Sequence, residues 1–171
     1  MASLITQGML EAVGRETGRS VSYPVSASDI RRWAVAVYYP EEPPRLFWDE
    51  EYAAGTAHGG IVAPEDFNPF AWMAADPPGL PPSIGGYDPD RTEKLLGVTP
   101  PGLRNLLNGG MEVEYGVRMR PGDVITSVSR LAGYKEREGR LGRMLFTSSE
   151  SVWTNQAGEL VKRNIGTVIR Y

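Results

Sequence analysis

Met111-Glu112-Val113-Glu114-Tyr115-Gly116-Val117-Arg118-Met119 is the stretch on which the fold turns. Apolar side chains fall at Met111, Val113, Tyr115, Val117 and Met119, with Glu112, Glu114, Arg118 and then Arg120 between or beyond them. A period of two is the mark of a strand with one dry and one wet face. Pro121-Gly122-Asp123 predicts a turn into a second strand, Val124 to Leu131, and the Gly139 region a turn into a third, Arg143 to Trp153. Asn155-Gln156-Ala157-Gly158 reads as a hairpin connection to a last strand, Leu160 to Tyr171. Four long antiparallel strands then form a meander whose dry face needs cover.

The cover is sought upstream. Ile5, Met9, Leu10 and Val13 stand at helical spacing within residues 3 to 14, and Val21, Tyr23 and Val25 alternate as a strand would. Ser26 to Asp29 supply helix-start chemistry before Ile30, Trp33, Ala34 and Val37, and this helix is expected to end by Pro40. A short helix-like piece is expected around Asp49 to Ala54. Pro64 suits a first helical position and Glu65 and Asp66 suit the positive end of a helix dipole, which predicts a helix from Pro64 to Ala75. Phe67, Phe70, Ala71, Trp72 and Ala74 make it apolar on most sides, as a helix buried under the sheet would be. Prolines and glycines crowd the stretch from Pro77 to Pro101, a long loop with a helical turn near Glu93 to Leu96; it reads equally as a binding lid and as a surface insertion.

The 171 residues suit a single domain, 1 to 171, of α+β class. Zero cysteines exclude disulfides and thiolate chemistry, and the single histidine, His58, excludes any site built on two imidazoles. A net charge of -3 argues against a nucleic-acid footprint, and no apolar run approaches the length of a membrane span. A cytoplasmic location without membrane contact is expected, and no metal or cofactor.

Several blocks carry a family likeness. Ser28-Asp29-Ile30-Arg31-Arg32-Trp33-Ala34, Phe47-Trp48-Asp49-Glu50-Glu51-Tyr52-Ala53, Gly59-Gly60-Ile61-Val62-Ala63-Pro64, Leu107 to Tyr115, Arg120-Pro121-Gly122-Asp123 and Asn155 to Val161 resemble, in order, the N-terminal-type MaoC-like dehydratases. The resemblance implies a hot dog fold, a curved antiparallel sheet wrapped around one central buried helix. It also implies hydration or dehydration of an acyl-CoA or acyl-carrier-protein thioester.

That reaction needs a general acid and a general base, with donors to hold charge on the thioester oxygen. The MaoC-like hydratases carry Asp-x-Asn-Pro-x-His just after the helix that here begins near Asp29. The corresponding stretch, Tyr38-Tyr39-Pro40-Glu41-Glu42-Pro43-Pro44-Arg45-Leu46-Phe47, has no aspartate, asparagine or histidine. Each such group contributes about 10²- to 10⁴-fold, so the chain is expected to need a second hot dog subunit that carries the Asp/His dyad, in a heteromer such as a heterotetramer. A homodimer, a non-catalytic thioester or carrier-protein binding module, and a hot dog thioesterase with Glu65 or Asp66 as its base are the alternatives.

Candidate site residues follow. His58 is the weak catalytic candidate; a lone histidine there is more often a structural hydrogen-bonder. Carboxylate substitutes for the dyad are Glu41, Glu42 and Asp49. Gly59, Gly60, Ile61, Val62, Ala63 and Phe67 are expected to bind substrate, with the glycines read either as a close approach to ligand or as tight packing. Asn108, Gly109 and Gly110 open the clearest strand and are assigned to substrate as well, against a simple bulge. Lys135, Arg137, Arg140 and Arg143 cluster by one hairpin and are candidates for the phosphates of coenzyme A, against a solvated hairpin tip. Trp33, Phe67, Phe70 and Trp72 are read as core, with one or two lining an acyl tunnel.

Overall fold

A computed structural model describes residues 3 to 73, 88 to 140 and 142 to 171. Helices α1 (Gln7–Glu11), α2 (Ala27–Tyr38), α3 (Glu50–Ala54) and α4 (Arg91–Leu96) accompany strands β1 (Glu16–Val21), β2 (Leu106–Tyr115), β3 (Thr126–Gly139), β4 (Gly142–Thr154) and β5 (Leu160–Arg170). The strands form one antiparallel sheet in the order β1-β3-β4-β5-β2. The α+β class stands as expected, but the meander holds only for β3-β4-β5: β2 crosses over to pair with β5 instead of turning back on β3, whose free side β1 takes, so β1 and β2 are the two edges. Of the long loop from Pro77 to Pro101, the part before residue 88 lies outside the described residues, and α4 is its expected helical turn.

Local chemistry explains the ends of α2. Ser26 Oγ accepts the Asp29 N–H at 3.0 Å, Asp29 sits in the positive first turn, and Pro40 pushes Tyr39 out of the helical region. Ile30 and Ala34 are fully buried on one stripe of this helix, while Arg32 pairs with Asp29 at 3.0 Å on the wet side. The first strand lies earlier than Val21 to Val25, because Pro24 has no N–H for a ladder. The chain still follows β3 beyond the strand: Ser22 N–H donates to the Ile125 carbonyl and Val25 N–H to that of Asp123, each at 2.8 Å.

The helix expected from Pro64 to Ala75 is absent over residues 64 to 73, and residues 74 and 75 lie outside the described ones. Pro69 is the reason: it removes an amide and bars Asn68 from the helical region. Asn68 Oδ1 instead accepts the Phe70 N–H at 3.0 Å, and Phe67, Ala71 and Met73 each donate back three residues in successive turns. Phe67 nonetheless reaches the core at 1% exposure, edge-on to Trp33 at 5.7 Å. Trp72, expected in the core, is exposed instead, with the Arg32 guanidinium 5.6 Å above its ring, because the turns carry it past the buried side of the segment.

Cross-strand register fixes which residues share a face. Ser127, Trp153, Lys162 and Tyr115 form one row, Ser129, Ser151, Asn164 and Val113 the next, then Leu131, Ser149, Gly166 and Met111. This inner face meets two separate clusters. At one end Trp153 packs on Phe70 at 5.1 Å, within a core of Val25, Ile30, Ala34, Phe47, Ala53, Ile61, Val62, Ala63, Phe67, Met119 and Ile125. At the other, Leu131 and Tyr134 pack with Ala12, Leu96 and Val98. Gly116 marks the tightest approach: a Cβ there would lie 2.0 Å from the Leu160 carbonyl oxygen, so only glycine lets the chain leave β2 against β5.

Candidate functional site

A cleft of about 470 Å³ opens where the loop carrying His58 faces two turns at one end of the sheet, and it is lined by His58, Val117, Arg118, Arg120, Asp123 and the 155–159 hairpin. The turn Arg120-Pro121-Gly122-Asp123 builds one wall. Asp123 Oδ2 accepts the Arg120 N–H at 2.7 Å and Oδ1 accepts from Gln156 Nε2 at 3.1 Å, while the Gln156 side-chain carbonyl accepts the Val124 N–H. Gly59 and Gly60 have φ of 66° and 158°, and a Cβ on Gly60 would come within 3.9 Å of the Arg120 guanidinium. Alternation places Arg118 and Arg120 on a wet strand face; beyond the end of β2 they turn into this cleft instead. Asp three residues after Arg120 in a Pro-Gly turn is the signal that could have located the wall.

His58 shares the cleft with two carboxylates and is joined to neither. Asp123 is spent on the turn, Glu159 accepts from Asn155 Nδ2 at 2.8 Å, and the imidazole has no hydrogen-bond partner among the described residues. The other carboxylates weighed for proton transfer are placed as follows. Glu41 and Glu42 are exposed. Asp49 caps α3, taking the Tyr52 N–H at 2.9 Å and then Arg45 at 2.7 Å; that backbone bond first, and the guanidinium second, hold its carboxyl below the usual range. Glu65 pairs with Arg118 at 2.9 Å and stands with Asp66 on a turn rather than on a central helix.

Of the expected substrate-binding residues, Gly60 approaches the Arg120 wall and Gly59 follows His58 in the chain, but neither lines the cleft itself, and Ile61, Val62, Ala63 and Phe67 are between 0% and 8% exposed and fill the core. Their apolar run has the composition of a pocket lining, yet the chain from 61 to 63 passes under the sheet end. Asn108, Gly109 and Gly110 lie at the other end of β2, roughly 20 Å from Tyr115 at ~3.3 Å per residue. They form a bulge: the ladder slips between Asn108 and Met111, Asn108 Oδ1 accepts the Gly110 N–H at 2.8 Å, and a Cβ on Gly109 would meet Thr167 at 3.0 Å. These three therefore do not converge with Gly59 and Gly60 on one site.

The basic hairpin also divides. Lys135 and Arg137 lie on the outer face, Arg137 stacked on Phe146 at 5.5 Å, whereas Arg143 is opposite Glu138 and within 3.7 Å of Glu136. Arg140 sits in the connecting turn. Alternation along the two strands splits what proximity in sequence gathers, and Glu136 and Glu138 offset it.

One cluster had no sequence signal. Arg170, 1% exposed, reaches Glu93 with both terminal nitrogens at 2.8 and 2.7 Å, and also Asp90, Thr147 Oγ1 and the Pro89 carbonyl. Tyr134 Oη donates to Glu93 at 2.7 Å. Burial raises the Glu93 carboxyl, but the bonds from Arg170 and Tyr134 outweigh it and leave the group below its ordinary value. Burial, and then Glu93, push the Tyr134 phenol well up. The partners are 77 residues apart in sequence, which no local pattern reveals.

Among solved structures, the chain is similar to the ChsH1-ChsH2 complex from Mycobacterium tuberculosis, with TM-score 0.68 and 18% identity over 96% of this chain and 89% of that one. It is similar to the MaoC-like dehydratase from Rhodospirillum rubrum, with TM-score 0.55 and 22% identity over 95% and 96%. The HadBC (3R-hydroxyacyl-ACP dehydratase) complex from Mycobacterium tuberculosis gives 0.54 and 18% over 92% and 99%. These likenesses establish the hot dog fold of MaoC-like proteins. No curated protein matches the sequence. A family model does, from residue 11 to residue 164, through the second core, the cleft and the start of β5. The chain thus belongs to the FAS1-like dehydratase domain region family.

Proposed function

We propose that the chain is the subunit of an acyl-thioester hydratase or dehydratase that shapes the acyl-binding cavity, while a second hot dog subunit supplies the Asp/His dyad. The observation that carries this is the segment after α2: from Tyr39 to Phe47 it offers no imidazole, and its carboxylates, Glu41 and Glu42, are exposed where the chain turns off the helix. The sole imidazole, His58, sits elsewhere with no carboxylate in hydrogen-bond contact among the described residues. Two of the similar structures are named as complexes, ChsH1-ChsH2 and HadBC. The cleft beside His58, with the backbone of Gly59 and Gly60 next in the chain, would take the thioester arm, from coenzyme A or a carrier protein, because backbone without side chains admits close approach.

The test is co-expression with a hot dog protein that carries Asp-x-Asn-Pro-x-His. Hydration of a medium-chain trans-enoyl-CoA, followed by loss of its enoyl-thioester absorbance, is expected from the complex and not from this chain alone. Full turnover by the purified chain would refute the division of labour. Assembly without turnover would make the chain a binding module and refute the enzymatic reading.

A further inference from the structure

Between its two core clusters the inner face of the sheet turns polar. Cross-strand register brings Ser127, Ser129, Ser149, Ser151, Lys162 and Asn164 onto this stretch, and all of them are half-buried. A sheet face that covers a core is ordinarily apolar, because a buried polar group is costly unless it finds a partner. Ser127 and Ser151 share a hydrogen bond at 3.2 Å, and Trp153 Nε1 donates to Ser151 Oγ at 3.2 Å. Ser129, Ser149, Lys162 and Asn164 make no side-chain hydrogen bond among the described residues.

Lys162 carries the charge of this stretch. Its ammonium lies 5.1 Å from the Trp153 ring centroid and 5.4 Å from that of Tyr115, the two residues that flank it in the register. Ring faces attract a cation and shed water from it, but neither ring carries a charge that neutralises it. The carboxylates of the neighbouring strands are taken elsewhere. Glu114 and Glu150 lie on the outer face with Arg163, and Glu65, which shares the end of β2 with Tyr115, pairs with Arg118 at 2.9 Å. A half-buried ammonium held between two rings, with no anion of its own, is a receptor for one. It lies roughly 10 Å beyond the cleft-lining Glu159 at ~3.3 Å per residue of strand, so a thioester seated in the cleft can send its acyl group toward it. We propose that Lys162 determines acyl specificity by binding a carboxylate at the far end of the acyl group, so that the favoured substrates are thioesters of dicarboxylic acids. Asn164, the next residue of β5 on that face, supplies further donors. The inference rests on the hydratase reading above and names the substrate class for it.

The test is calorimetry on the chain alone and on the chain paired with a dyad-bearing hot dog subunit. It compares two saturated acyl-CoA ligands of equal medium length, one ending in a carboxylate and the other in a methyl group. Neither has a double bond to hydrate, so binding is read apart from turnover. In at least one of the two settings the carboxylate-ended ligand is expected to bind at least about tenfold more tightly, the weight of one hydrogen bond to a charged group. Lys162→Met keeps an aliphatic stem against both rings and is expected to bring the two ligands within about twofold of each other. The preference is a ratio within one protein, so a smaller folded fraction does not imitate its loss; should Lys162→Met not fold, Lys162→Gln serves in its place. Equal or weaker binding of the carboxylate-ended ligand in both settings overturns the proposal. So do a preference that survives the loss of the ammonium and a failure of both ligands to bind. A complex that shows the preference yet never hydrates the matching enoyl thioester would fail the functional reading alone.

Discussion

Replacing Glu93 by leucine tests whether the buried cluster at the far end of the sheet holds the fold together. Arg170 and Glu93 are 1% and 0% exposed at their side chains, so solvent does not screen the pair. Removing one partner of a buried pair leaves an uncompensated charge, which costs about 3–5 kcal/mol. Asp90, at 3.3 Å, offers Arg170 only a long second contact, and Arg170 Nε already lacks a hydrogen-bond partner. For a chain of this length each kcal/mol lowers Tm by about 2–4 °C, so the loss is about 6–20 °C. Thermal unfolding followed by circular dichroism measures it. The double variant Glu93→Leu/Arg170→Met is expected to recover at least half of the loss, because replacing both partners by apolar groups is often neutral. A cost below about 1 kcal/mol for Glu93→Leu, or no recovery in the double variant, would refute the reasoning.

Acid should act through the same carboxyl. Its folded-state value lies below its unfolded one, so its contribution is complete above pH ~4.5 and fades as pH falls through the lower folded value; Tm of the wild type should drop there more steeply than that of Glu93→Gln. Gly116→Ala puts a methyl 2.0 Å from a carbonyl oxygen, and a loss of at least about 2 kcal/mol in urea unfolding is expected; a neutral result would mean that β2 and β5 part easily. Phe67→Ala should cost about 3–5 kcal/mol by the same measurement, even though the segment around it is not helical. His58→Ala should leave the turnover of the assembled complex within about threefold, and a loss of about 10²-fold or more would make the imidazole an acid or base.

The strands were legible because alternation survives in any solvated sheet: Met111, Val113 and Tyr115 do share a face, as do Glu112 and Glu114; their order was not, since a Pro-Gly turn after Met119 looks the same whether the chain doubles back or crosses the sheet. α2 was legible from Ser26 and Pro40, which act on their immediate neighbours. The stretch after Pro64 was not, since the apolar composition of a buried helix and of a buried run of turns is the same, and Pro69 decided between them. Site assignments suffered most. Nearness in sequence joined Lys135 and Arg137 to Arg143, which pleating separates, and it could not join His58 to Arg120 or Glu93 to Arg170, which only the folded chain brings together.

The pairing of β1 with β3 sets the timetable of folding. Ser22 Oγ accepts the Ile125 N–H from a residue 103 positions later, and the strand before it has no other neighbour in the sheet. At synthesis rates of about 5–20 residues per second, the amino-terminal strand waits on the order of 5–20 s before the strand it pairs with exists. Phe67, the edge-on partner of Trp33, is synthesised well before β3, so α2 gains that contact while β1 still lacks its neighbour.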